Sequence, residues 1–181
     1  MSYIAPLDPK QADAETAGTL EAVRKKVGMV PRLYATLAKA PAGLKGLLQI
    51  SEAIAGGKLT AREREIVALA VAQANRCHYC LSAHTLLGKS AGMTVQETIQ
   101  ARSGLGGDAR GAAIAGSAKA LVEQRGQVAQ RALDDFRAAG LSEEDLLEIV
   151  ANVAASTLTN YANNVARTEI DFPVVPAQLV A

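Results

Sequence analysis

The chain is poor in aromatic residues, in cysteine and in net charge. Phe, Tyr and Trp make up 3% of the 181 residues, and Trp is absent. Alanine is the commonest residue, at 36 positions, so the core is built from small and aliphatic side chains, which favours close helix packing over a sheet. The 19 basic residues against 18 acidic ones give no electrostatic case for nucleic acid or an anionic membrane.

Long apolar runs are also absent. None reaches the ~18 residues of a membrane span, and the first residues lack a basic-then-apolar signal pattern. We therefore expect a cytoplasmic protein. In a reducing compartment a close cysteine pair is more often catalytic or metal-binding than a structural crosslink.

The sequence predicts an all-α fold, because capping signals and three- or four-residue apolar spacing recur and no segment alternates like a strand. Capping boxes are predicted at Thr60–Glu63 and Thr94–Glu97, and Ser142 with Asp145 resembles one. The second of two helices between 60 and 91 should begin near Cys77. After Ser142 we expect one helix to about Thr157 and another over roughly 160–168.

Most of the reactive side chains lie between Glu65 and His84. Cys77 and Cys80 form a C-H-Y-C motif where a helix should begin, so exposed N–H groups would favour a thiolate there. Cys80 and His84 are four residues apart and share a helix face, which suits a thiol–imidazole pair. Glu65 lies on an apolar stripe of the preceding helix and could relay a proton or play a structural role.

The two thiols suit a redox cycle in which one becomes a sulfenic acid and the other condenses with it to a disulfide. The helix dipole favours Cys77 as the attacking thiolate, whereas the spacing to His84 favours Cys80; we favour Cys80. Two other interpretations stay open: a pair of buried small hydrophobic residues, or a zinc site with His84, although a fourth ligand is missing. His78 is expected at the surface, and Tyr79 in the core or in a pocket wall.

The tetrapeptide E-I-V-A occurs at 65–68 and again at 148–151, an offset of 83 residues. At this offset Cys77 aligns with Asn160, Cys80 with Asn163 and His84 with Arg167. We infer two similar helical units within a single domain, 1–181: a catalytic unit at about 59–92 and a degenerate repeat at about 141–169. Asn160, Asn163 and Arg167 are expected to form structural hydrogen bonds within the second unit or at a subunit contact.

The pattern Glu-x11-Cys-x2-Cys-x3-His resembles the AhpD-like alkylhydroperoxidases of the carboxymuconolactone decarboxylase superfamily. Peroxidase-related members also have a C-x-Y-C pair and a tail similar to Thr168–Pro173. AhpD proper has a histidine immediately before the second cysteine, where this chain has Tyr79. The resemblance covers most of the chain and implies an all-helical, AhpD-like bundle.

The resemblance also implies a function and partners. Cys80 would be the peroxidatic thiol, Cys77 the resolving and more accessible one, and Glu65 and His84 the proton relay. The protein would be a homo-oligomer, a trimer or hexamer, with no bound cofactor or metal. A lipoylated or other dithiol protein would reduce it, with a peroxiredoxin as a further partner. The alternatives are a carboxymuconolactone decarboxylase, which needs acid–base groups rather than a dithiol, and a non-enzymatic redox-sensing module.

Overall fold

The computed structural model describes residues 2–179, and every regular element in that range is helical. This confirms the predicted all-α fold. The helices are α1 (Ala14–Val27), α2 (Arg32–Leu37), α3 (Pro41–Ala55), α4 (Ala61–Ala74), α5 (His78–Ser90), α6 (Val95–Arg102), α7 (Ala109–Glu123), α8 (Gln130–Ala138) and α9 (Glu143–Ala166). A short 3₁₀ turn, Pro9–Gln11, precedes α1.

The predicted capping boxes begin α4, α6 and α9, at Thr60–Glu63, Thr94–Glu97 and Ser142–Asp145. At the first, the Glu63 N–H donates to the Thr60 hydroxyl at 3.2 Å. The Thr60 N–H donates in turn to the Glu63 carboxylate at 2.8 Å. Each box satisfies donors that the first helical turn leaves without partners, so the start of each helix is encoded locally.

Helix α4 lies at the centre of the structure. It packs against α5, α6, α7 and α9, and its residues 66–72 are all buried. The main core cluster joins α4 to α7 and α9 through residues such as Leu69, Ile114 and Ile149. Because α4 packs against four other helices, the backbone that carries Glu65, near the N-terminal end of α4, is fixed by its neighbours.

The C-terminal helix differs from the prediction. The expected break between Thr157 and Asn160 is wrong: α9 runs without interruption from Glu143 to Ala166. The polar, β-branched T-L-T-N stretch has weak helix propensity, but the segment contains neither Gly nor Pro. Tertiary contacts hold the helix together, since Asn160 is fully buried and accepts a hydrogen bond from Asn75 on α4.

This continuity bears on the predicted internal repeat. The first unit turns sharply between α4 and α5, whereas the aligned part of α9 is a single helix. The two segments therefore do not form similar helix pairs in the structure, and the repeat stays a prediction from the sequence.

Within residues 2–179, no helix is both long enough and apolar enough to cross a lipid bilayer.

Candidate active site

The two cysteines follow a tight turn between α4 and α5. The Cys77 N–H donates to the Ala72 carbonyl at 2.9 Å, and the Arg76 N–H donates to the Gln73 carbonyl at 3.1 Å. With Arg76 at φ 52°, this is a Schellman motif whose left-handed residue is not glycine. Cys77 is both the residue that completes the end of α4 and the N-cap of α5. The motif sequence thus begins a helix, as predicted.

Cys77 and Cys80 form a disulfide, with their Cα atoms 5.3 Å apart. The Cys80 N–H donates to the Cys77 Sγ at 3.3 Å, an N-cap contact made by sulfur. The structure therefore brings together the two thiols that the sequence paired.

The expectation that Cys77 is the more accessible sulfur is wrong for this chain: Cys77 is 0% exposed and Cys80 is 2% exposed. At the start of α5, Cys77 is buried in a cluster with Leu33, Ala72 and Leu81. Tail residues Ile170, Phe172 and Val175 pack against the same cluster. The tail therefore helps to cover the cluster that contains Cys77.

Glu65 and His84 are in direct contact across the α4–α5 packing. The Glu65 Oε2 lies 2.8 Å from the His84 Nδ1, and both side chains are mostly buried, at 18% and 23% exposed. Burial alone would lower the pKa of His84. The negative charge and the hydrogen bond of Glu65 outweigh burial and raise the pKa above its ordinary value. The hydrogen bond occupies Nδ1 and leaves Nε2 as the nitrogen available to a reactant.

Gly88, one turn after His84, lies where α5 contacts both Met93 and α4. A Cβ built at Gly88 would lie 3.0 Å from the Met93 sulfur and 3.8 Å from the Glu65 Cβ. A side chain at position 88 would therefore displace the Met93 side chain, whereas 3.8 Å from the Glu65 Cβ is an ordinary van der Waals contact.

A cavity of about 310 Å³ connects these groups. Glu65, Cys80 and His84 line it, and Cys77 does not. Its other walls are mostly apolar, and they include Leu33, Leu47, Ile54, Ala68, Tyr79, Ala83, Leu87, Ala155 and Phe172. The structure thus gives Cys80, rather than Cys77, access to a space that can hold a small molecule.

Tyr79 forms part of this wall, as the sequence predicted, while His78 is exposed. The Tyr79 ring meets Phe172 edge-on at 5.5 Å, and its hydroxyl accepts the Leu33 N–H at 3.3 Å. Burial raises the pKa of Tyr79, so the phenol stays protonated at neutral pH. Asp171 fixes the tail nearby by accepting the Arg32 N–H at 2.7 Å.

The sequence missed the contact between α9 and the sulfur. Asn163 Nδ2 donates to Cys80 Sγ at 3.3 Å, and both residues are buried. Asn160 accepts from Asn75 of the α4–α5 turn at 3.1 Å. Both asparagines therefore bond to the cysteine unit, and the expectation that they bond within their own unit or at a subunit contact is wrong. The 83-residue alignment of Cys80 with Asn163 was the one available signal.

Glu148, the counterpart of Glu65 in the repeat, has a different environment. Its carboxylate accepts the N–H groups of Lys58 at 2.7 Å and Leu59 at 2.9 Å. Gly57 makes room for it, since a Cβ there would lie 2.8 Å from Glu148 Oε2. Glu148 thus holds the loop before α4, whereas Glu65 faces the cavity.

Among the described residues, no group of three or more His, Cys, Asp and Glu side chains is arranged to hold a metal ion. His84 contacts Glu65 rather than joining the two sulfurs as a third ligand.

Comparison with known proteins agrees with this architecture. Residues 41–124 match the carboxymuconolactone decarboxylase family, and this segment contains Glu65, both cysteines and His84. An alkyl hydroperoxide reductase of Mycobacterium tuberculosis is 30% identical over 95 residues, which are 52% of this chain and 28% of that protein. The chain therefore matches little more than a quarter of this relative's length.

Solved structures share the fold over nearly the whole chain. A peroxidase-related protein of Ralstonia eutropha with an alkylhydroperoxidase AhpD core has a TM-score of 0.84 and 23% identity, covering 94% of this chain and 92% of its own. The debrominase Bmp8, in complex with 2,3,4-tribromopyrrole, has a TM-score of 0.77 and 17% identity, covering 93% and 91%. The segment 41–124 is thus similar to the carboxymuconolactone decarboxylase family, and the chain as a whole has the AhpD-like fold that its cysteine motif predicts.

Proposed function

We propose that this protein is a thiol-dependent peroxidase that reduces hydroperoxides through Cys77 and Cys80, with Glu65 and His84 as the proton relay. One observation carries the proposal: Cys80, within disulfide reach of Cys77, shares a cavity with a carboxylate-bound histidine. The chemistry belongs to the unit at about 59–92, within a single domain.

The first step is attack of the Cys80 thiolate on the terminal oxygen of a hydroperoxide. His84 accepts the thiol proton and returns it to the leaving alkoxide, giving an alcohol and a Cys80 sulfenic acid. Glu65 stabilises the imidazolium that exists between these transfers. The Cys77 thiol then displaces the sulfenic oxygen as water, and the disulfide forms.

An external dithiol completes the cycle by exchange and leaves as its own disulfide. Because Cys80 lines the cavity and Cys77 does not, the incoming thiolate attacks Cys80 and the Cys77 sulfur departs. A narrow reductant such as a lipoyl group suits this route, with a peroxiredoxin as a further electron acceptor. We place the protein in the cytoplasm, where such dithiols are kept reduced.

The test is a thiol titration of the reduced protein before and after one equivalent of an organic hydroperoxide. We expect two thiols to disappear per equivalent and one alcohol to be released, because the pair supplies both electrons. Further turnover should require a dithiol. Retention of both thiols would contradict the proposal. Loss of both without dithiol-supported turnover would favour a redox-sensing module instead.

We also propose that the protein assembles with copies of itself through α9. Exposed apolar side chains recur there at helical spacing, including Leu147 at 71%, Leu158 at 42%, Tyr161 at 57% and Val165 at 63% exposed. Exposed Glu143 and Glu144 begin the helix, where they also pair with Arg137 and Lys58 of the same chain, and exposed Arg167 follows it. An antiparallel second copy would bring its Arg167 close to these carboxylates at both ends. Such a two-fold contact occurs in a hexamer with dihedral symmetry and not in a cyclic trimer.

Replacing Leu158 with Glu should shift the protein to smaller species in sedimentation velocity, because a charge would then be buried in an apolar contact. Val174, 72% exposed on the tail, provides the matched control, Val174→Glu. The control should sediment like the parent. A parent protein that sediments as a monomer, or a Leu158→Glu variant with the same mass as the parent, would contradict this assignment.

A further inference from the structure

Asn163 and Cys80 form a buried hydrogen bond between α9 and α5. Asn163 lies on α9, outside the segment 41–124 that matches the family model, and its Nδ2 donates to the Cys80 sulfur at 3.3 Å. Asn163 is 3% exposed and Cys80 is 2% exposed, so water does not compete strongly for either group. A hydrogen bond in such a setting is stronger than one at the surface.

The donor is held firmly in place by its neighbours on α9. Asn160 accepts from the Asn75 side chain at 3.1 Å, and Asn164 donates to the Asn75 carbonyl at 2.9 Å. Asn75 is the C-cap of α4, two residues before Cys77. These two bonds fix α9 to the turn that presents the cysteines, and Asn163 lies between them.

A donor fixed on a sulfur has a predictable effect on ionisation. An amide N–H interacts more favourably with a thiolate than with a protonated thiol, so it lowers the pKa of the thiol. The α5 helix start favours charge at Cys77, whose Sγ accepts the Cys80 N–H. Cys80 is one turn further along and needs another source of stabilisation.

We infer that Asn163 is a catalytic residue: its side-chain amide stabilises the Cys80 thiolate and thereby makes Cys80 the attacking sulfur. The role of Asn163 in the catalytic cycle rests on the proposed function. Its effect on the ionisation of the Cys80 thiol does not. That effect is measurable without any peroxide.

The measurement is the pH dependence of Cys80 alkylation by iodoacetamide in a Cys77→Ser background, where Cys80 is the sole thiol. Serine is a favourable N-cap, so this background should keep α5. Asn163→Leu, similar in size and without a donor, should raise the thiol pKa. Hydrogen bonds to charged groups imply that alkylation at neutral pH should slow by about ten- to a hundredfold.

The matched control is Asn152→Leu, which removes another buried asparagine of α9 whose Nδ2 donates to the Glu148 carbonyl of its own helix rather than to sulfur. Its alkylation profile should follow the parent. Should Asn163→Leu fail to keep its helical circular dichroism, Asn163→Ala, which only deletes atoms, takes its place. An unchanged thiol pKa in a folded Asn163 variant, or an equal shift in the Asn152 control, would overturn the inference.

Peroxide consumption, measured on the same variants with Cys77 restored, separates this inference from the proposed function. A raised thiol pKa in a protein that never reacts with peroxide supports the role of Asn163 and contradicts the peroxidase. An unchanged thiol pKa in an active peroxidase contradicts the role of Asn163 and supports the peroxidase.

Discussion

Replacing Cys80 with serine should abolish hydroperoxide consumption, lowering the rate by about 10³-fold or more, as loss of a nucleophile does in other enzymes. Cys80 is the cysteine that lines the cavity, and it carries the hydrogen bond from Asn163. A serine hydroxyl at neutral pH is too weak a nucleophile to replace a thiolate. The measurement is the initial rate of peroxide loss with excess dithiol.

Cys77→Ser is the matched comparison, because it changes the same atom at the other cysteine. This variant should still react once with peroxide and then stop, with a sulfenic acid or a mixed disulfide at Cys80. A sulfenic-acid-selective reagent and mass spectrometry would identify the product. If Cys77→Ser lost the first reaction while Cys80→Ser kept it, the roles of the two sulfurs would be reversed. A double variant as fast as the parent would eliminate dithiol chemistry altogether.

Replacing Glu65 with glutamine should lower the peroxidase rate by about 10²- to 10⁴-fold, the usual contribution of a positioned acid–base group. The variant keeps the size of the side chain but removes the charge that raises the pKa of His84. We therefore expect the pKa of His84 to fall. Proton NMR of the imidazole rings measures this directly, because the chain contains only two histidines. The signal of exposed His78 is the internal reference.

The same pair makes stability depend on pH in a defined direction. Since the folded-state pKa of His84 lies above the ordinary 6.5, the stabilisation from His84 is fully present below that value. It is lost as the pH rises through the higher folded-state pKa. The difference in free energy of unfolding between the parent and Glu65→Gln should therefore shrink from pH 6 to pH 9, as measured by urea denaturation.

Glu148→Gln is the control for Glu65→Gln, because Glu148 is the aligned residue in the second E-I-V-A tetrapeptide. Its carboxylate accepts backbone N–H groups of the loop before α4, and it does not line the cavity. A glutamine there should affect unfolding but leave the His84 signal and the peroxidase rate near parent values. Equal rate losses in both variants would show that Glu65 acts through the fold and not as a relay.

The starts of helices and the cysteine motif were predictable because their causes are local. Capping boxes satisfy their own backbone donors within four residues, so Thr60 with Glu63 is sufficient to locate the start of α4. The same holds for Cys77 at the start of α5.

Features that depend on distant contacts were not predictable. Helix propensity is weak near Asn160, and tertiary contacts such as the bond from Asn75 keep α9 continuous. The cluster that contains Cys77 packs against a tail about a hundred residues further along the chain, and the contact of Asn163 with Cys80 depends on how α9 packs against α5. The residues that form the motif could therefore be predicted from the sequence, whereas the residues that contact it could be identified only from the fold.

The two sulfurs share one further property: each accepts an N–H, Cys77 from the Cys80 backbone and Cys80 from Asn163, both at 3.3 Å. Both donors interact more strongly with a thiolate than with a disulfide sulfur. They therefore stabilise the dithiol form relative to the disulfide, which makes the reduction potential of the pair less negative. A fold that provides a donor for each sulfur favours a readily reduced disulfide, so even weakly reducing dithiols should return the protein to its reactive state.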